Sequence, residues 1–109
     1  MVVRGGLSVK MSERFIRDFE SLSPDLKLCA IECLEDFGRE FLPNARRPHS
    51  VSPKGVKPPI FTMDVTRNKS HKLSYLIKGN VAFLLRLDTH RSIDRDPGYA
   101  DARSAEIAG

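Results

Sequence analysis

The sequence predicts an α+β domain in which an N-terminal strand and a helical hairpin pack on a mainly antiparallel sheet of about four strands. Three observations carry that prediction. Apolar residues recur at helical spacing between residues 13 and 42, they alternate with a period of two between 60 and 88, and a proline-rich stretch separates the two regimes. With 109 residues, 40% of them hydrophobic and 29% charged, the chain can build one small core and is too apolar to be disordered throughout. The expected organisation is a single domain over residues 1–96 and a flexible tail over 97–109.

Leu7, Val9 and Met11 alternate with Ser8 and Lys10, the pattern of a short opening strand. Ser12 is placed to cap a first helix whose apolar stripe is Phe15, Ile16, Phe19 and Leu22. Ser23-Pro24-Asp25 then supplies a cap, a first-turn proline and an acid suited to the helix dipole. The second helix is expected to run to about Leu42, burying Leu26, Ala30, Cys33, Leu34, Phe37 and Phe41 until Pro43 stops it. Residues 44–59 lack apolar periodicity and read as a long irregular connection. Strands follow at 60–66, 72–77 and 81–90, separated by a turn at 67–70 and the compact loop Lys78-Gly79-Asn80.

The period of two sorts the sheet residues onto two faces. Phe61, Met63, Val65, Leu73, Tyr75, Ile77, Val81, Phe83, Leu85 and Leu87 share the parity expected to face the helices. Thr62, Asp64, Thr66, Lys72, Ser74, Arg86, Asp88 and His90 share the other, with Ala82 and Leu84 among them. The expectation is a sheet with one apolar face and one open, polar face.

Charge adds a direction. The net +4 conceals a balance of +8 over residues 44–95, against −2 in each flanking segment. Such an excess suits a polyanionic partner, either nucleic acid or an acidic protein, and equally suits a merely solvated basic surface. No apolar run is long enough for a secretory signal or a bilayer span, so the expected location is cytoplasmic with no membrane partner. Cys29 and Cys33, four apart on the second helix, are expected to be small buried hydrophobes, and no metal or cofactor is expected.

Three stretches carry a resemblance to a known family. Residues 7–27, LSVKMSERFIRDFESLSPDLK, are similar to the first strand and helix of the RelE/ParE toxin superfamily of bacterial type II toxin–antitoxin systems, through Phe15, Asp18, Leu22 and Pro24. Residues 71–80, HKLSYLIKGN, resemble that family's middle strand. Residues 84–95, LLRLDTHRSIDR, resemble its closing strand, which runs into a histidine.

The resemblance implies a toxin that is a ribosome-dependent messenger-RNA endoribonuclease and inhibits translation without a cofactor. It also implies two partners, messenger RNA on the ribosome and an acidic cognate antitoxin from the adjacent gene. Matched residue by residue, the catalytic set is His90, Lys72 and Arg86, with Arg67, Lys69, Arg91 and His49 as contacts to RNA phosphates. Histidine can give or take a proton near neutrality, and cations stabilise charge developing on phosphate. Asp88, two positions before His90, is expected to orient the imidazole, whereas Asp94 and Asp96 read as solvated charges. Family members often place Tyr or Phe three or four residues after the closing histidine, where this chain has Ile93 and Asp94. A gyrase-poisoning toxin and a catalytically inactive binding module are the alternatives, which the fold by itself does not separate.

Overall fold

The computed structural model describes residues 8–35, 49–50 and 59–108. Strand β1 (Ser8–Met11) leads through Ser12 into helix α1 (Glu13–Glu20). The Ser12 hydroxyl accepts from the Phe15 N–H at 2.9 Å and donates to the Leu85 carbonyl at 2.8 Å, so one side chain caps the helix and ties it to the sheet. Helix α2 (Pro24–Glu35) starts at the expected proline, with Ser23 accepting from the Leu26 N–H at 3.4 Å. The expected continuation of this helix through Phe37, Phe41 and Leu42 lies outside the described residues.

The sheet has five strands in the order β1-β5-β4-β3-β2, built from β2 (His49–Ser50), β3 (Phe61–Asp64), β4 (His71–Lys78) and β5 (Val81–Thr89). β1 runs parallel to β5 and every other neighbour is antiparallel. The fifth strand comes from the connection expected to be irregular, where His49 pairs with Thr62 and Ser50 with Phe61. The remainder of that connection lies outside the described residues. β1 ends opposite Leu84, and the edge of β5 beyond it is satisfied by α1: Asp18 Oδ2 accepts from the Leu87 N–H at 3.0 Å.

One expected face assignment fails, for a definable reason. Ser74 stands opposite Arg86 but Tyr75 stands opposite Leu84, so Leu85 is an extra residue on β5. A bulge of this kind reverses the facing of every residue before it. Ala82 and Leu84 therefore join Leu87 in the core beneath the hairpin, with Phe15, Ala30, Cys33, Met63, Leu73 and Tyr75. Phe83 and Leu85, expected there, lie instead with Ile60 and Leu76 in a second apolar cluster, against which Ala102 packs.

The polar face is covered, contrary to the expectation of an open one. Thr62 and Ser74 are fully buried, and Asp64, Lys72 and Arg86 are nearly so. Over Lys72, Ser74 and Arg86 the cover is the segment after β5. Helix α3 (His90–Arg95) and helix α4 (Tyr99–Ala108) occupy residues expected to be a strand end and a flexible tail. Thr89 caps α3 by accepting from the Ser92 N–H at 3.3 Å, and the Ser74 hydroxyl donates to the Pro97 carbonyl at 2.6 Å. Gly98 makes the close crossing possible. Its φ is +99°, and a Cβ there would sit 3.1 Å from the Leu85 Cβ. Among the described residues, no helix is long and apolar enough to cross a membrane.

Candidate functional site

The site forms where the β3–β4 turn meets the start of α3. Thr66 organises that turn: its hydroxyl donates to Asn68 Oδ1 at 2.8 Å and accepts from the Ser70 N–H at 3.0 Å. Lys69 takes a left-handed φ of 62°, and the Ser70 carbonyl accepts from the His90 N–H at 2.9 Å. His90 is thus the first residue of a helix packed against a turn, where the alternating pattern predicted a strand residue.

That helical placement builds a cluster that strand geometry would not. Asp94, one helical turn after His90, brings Oδ2 to 2.8 Å from His90 Nε2. Its other oxygen, Oδ1, lies 3.5 Å from Lys72 Nζ. The side chains of His90 and Asp94 are 41% and 49% exposed, whereas that of Lys72 is 3% exposed, so a solvent-reachable imidazole is linked through a carboxylate to a buried ammonium. The remaining ring nitrogen, Nδ1, is 3.4 Å from the Lys69 carbonyl. Arg67, Lys69 and Arg91 are exposed around this point. The side chain of His49 lies outside the described residues; its backbone is on the far edge strand, beside Thr62.

Arg86 has a different setting. Its guanidinium contacts Asp88 Oδ2 at 2.7 Å, the Asp96 carbonyl at 2.9 Å and the Ser92 hydroxyl at 3.3 Å, and its Nε faces Asp18 Oδ2 at 3.7 Å. It joins α1, β5 and the C-terminal segment, and it is not presented on an open face. Asp88 belongs to this network: it binds Arg86 and accepts from the Ser92 hydroxyl at 2.9 Å. The role expected of Asp88, contact with His90, falls to Asp94. A sequence signal for Asp94 exists. Thr89 and Ser92 form a capping pair and Asp96-Pro97-Gly98 a helix stop, which together place His90 and Asp94 at helical i,i+4 spacing.

The carboxylates around Arg86 titrate in opposite senses. Burial opposes the charge on Asp88, but the Thr89 N–H, the Ser92 hydroxyl and Arg86 outweigh it and hold the carboxyl below the ordinary 3.8. Asp96 is lowered mainly by the Gly98 N–H, with Arg14 at 3.1 Å assisting. Asp18 is raised, because burial outweighs its contacts with the Leu87 N–H and Arg86. Lowered carboxyls stabilise the fold above the unfolded value and lose that contribution as pH falls through their folded values. Asp18 has the reverse sign, gaining on protonation. On acidification below about pH 5, Asp88 and Asp96 therefore lower the denaturation midpoint in urea while Asp18 opposes them. Replacing Asp88 and Asp96 together by Asn should flatten the fall, and Asp18→Asn should steepen it.

Cys33 is fully buried beneath Tyr75, whose phenol is pushed up by burial and then by Cys33, and Cys29 is half-buried. Tyr75 stacks on Phe61 at 5.7 Å and is a core residue. No group of three or more His, Cys, Asp or Glu able to hold a metal occurs among the described residues.

This strand, helical hairpin and mixed sheet share their fold with several solved bacterial proteins, toxins among them. A copper-bound mutant toxin from Helicobacter pylori is 23% identical, with a TM-score of 0.56 over 80% of this chain and 98% of that one. A conserved hypothetical protein from the same bacterium is 21% identical, with a TM-score of 0.58 over 78% and 96%. The DinJ–YafQ complex of Escherichia coli is 15% identical, with a TM-score of 0.57 over 80% and 97%. At these identities the likeness establishes the fold. No protein-family model matches the chain, and no curated protein does.

Proposed function

We propose that this chain is the toxin of a type II toxin–antitoxin pair, acting in the cytoplasm as an endoribonuclease on messenger RNA held by the ribosome. The observation that carries the reading is the His90–Asp94–Lys72 cluster, set at the rim of the sheet beside the exposed cations Arg67, Lys69 and Arg91. Cleavage through the 2′-hydroxyl requires removal of the 2′ proton, attack of that oxygen on phosphorus, and protonation of the departing 5′ oxygen. His90 is the side chain placed to transfer a proton. Arg67, Lys69 and Arg91 would meet phosphate, and the burial of the polar face favours an RNA path at this end of the sheet. Lys72 acts from below through Asp94, and Arg86 holds the C-terminal segment in place. The unit is one domain that includes α3 and α4.

The partner is an acidic antitoxin encoded beside this gene. The likeness to the DinJ–YafQ complex and the +8 balance of residues 44–95 support it. A second reading, an inactive binding module, draws support from the burial of Lys72 and Arg86. Expression alone should arrest growth and leave cut messengers on ribosomes, and co-expression of the adjacent acidic reading frame should restore growth. Harmless expression would sink the toxin reading. Growth arrest with DNA breaks and intact messengers would select the gyrase alternative.

A further inference from the structure

We propose that Asp94 is the positioning residue for His90, that Lys72 is the buried anchor of Asp94, and that His90 consequently works as an acid through Nδ1. This rests on the reading above that His90 transfers a proton during RNA cleavage.

The geometry divides the two ring nitrogens. Nε2 makes the short contact, 2.8 Å, to Asp94 Oδ2. A carboxylate accepts and does not donate, so this nitrogen carries a hydrogen and keeps it. Among the described residues, Nδ1 meets only the Lys69 carbonyl, at 3.4 Å, beyond the usual hydrogen-bond range. Its proton is therefore the one available for transfer. A leaving 5′ oxygen taking the place of that carbonyl receives the Nδ1 proton, and the neutral ring retains the Nε2 hydrogen on Asp94. Charge balances, since the proton neutralises the departing alkoxide and the imidazolium becomes imidazole.

Asp94 is itself held. On a half-exposed helix its carboxylate would sample several rotamers, and Lys72 restricts it. The ammonium is 3% exposed, its strand sits in the middle of the sheet, and it reaches Oδ1 at 3.5 Å while Oδ2 serves the histidine. The ladder places Lys72 between Asp64 on β3 and Asp88 on β5, so the buried cation lies within a row of carboxylate-bearing positions. A buried ammonium flanked in this way is a fixed point, and Asp94 bridges it to the solvent-facing ring.

The test uses the full chain with ribosomes and messenger, and nitrogen NMR of His90. Asp94→Ala should lower kcat about a hundredfold at nearly unchanged KM, as expected from a misaligned acid, in a protein that stays folded at the assay temperature. In the NMR spectrum the parent should show Nε2 protonated in the neutral ring, and Asp94→Ala should show a mixture of tautomers. Lys72→Met, a substitution of similar shape, should reproduce a weaker version of both effects. His90→Ala and the His90→Ala/Asp94→Ala double variant should be equally inactive. If Asp94→Ala keeps the parental kcat and the Nε2 tautomer while His90→Ala is inactive, the positioning assignment falls and the nuclease reading stands. If the parent itself cleaves nothing, the nuclease reading falls, and the tautomer measurement still decides whether Asp94 orients the ring.

Discussion

Arg86→Ala is expected to destabilise the fold by about 3–5 kcal/mol, because removing one member of a buried charged network strands the others. Arg86 is 5% exposed, and its loss leaves Asp18, Asp88 and the Asp96 carbonyl without the cation they share. Asp18 is the costliest to strand. Its carboxyl is already raised by burial, and it also caps the free edge of β5 at Leu87. Lysine should not rescue the site, since one ammonium cannot span donors directed at Asp88, Asp96 and Ser92 together. For a domain of this size the loss corresponds to a drop in Tm of more than about 10 °C. The C-terminal segment should loosen first, because Arg86 supplies its bonds to the Ser92 hydroxyl and the Asp96 carbonyl, and the nearby Arg14 ties to Asp96 and Asp101 are partly exposed ion pairs of small individual worth. Amide exchange of α3 and α4 alongside thermal melting checks both statements. A loss below about 1 kcal/mol would show that packing of Leu85 and Ala102, and not the guanidinium, holds the segment.

His90→Ala is expected to separate activity from stability. The side chain is 41% exposed and fills no part of either apolar cluster, while the backbone bond from its N–H to the Ser70 carbonyl survives truncation. Stability should therefore change by no more than about 0.5 kcal/mol. Messenger cleavage should fall by at least about a hundredfold, the scale of a lost general acid or base. Purified variants assayed for ribosome-associated cleavage and for melting provide both readings. A folded His90→Ala protein that cleaves at the parental rate would remove the main support for a nuclease.

The comparison of Arg86 with His90 shows how the site was only half legible. Both were named through the family resemblance and placed on one face by even parity on a strand, yet one is a buried hub and the other begins a helix. The alternating pattern ran continuously through residues 81–90, so nothing in the period itself marked either the bulge at Leu85 or the end of the strand after Thr89. The signals that did exist were short. Ala82 and Leu84 stood as apolar residues on a face expected to be polar, and the bulge places them in the core. Thr89, Ser92 and Gly98 are the signals of a helix and its stop in a stretch read as a strand end and the start of a tail.

The sequence by itself determined the central elements and their order, though not β2, α3 or α4: a strand capped into a helical hairpin by Ser12 and Pro24, then a three-strand meander with turns at 67–70 and 79–80. These follow from local causes, namely periodicity, caps and turn residues, that act within a few positions. Only the tertiary structure decided which face each residue occupies after the bulge, that the polar face is roofed by α3 and α4, and that Lys72, Asp94 and His90 meet. Those outcomes depend on contacts between residues such as Asp18 and Leu87 or Ser74 and Pro97, far apart along the chain. A one-residue register shift exchanges the two sides of a strand at little local cost, so the choice is made by the burial it achieves across the whole sheet.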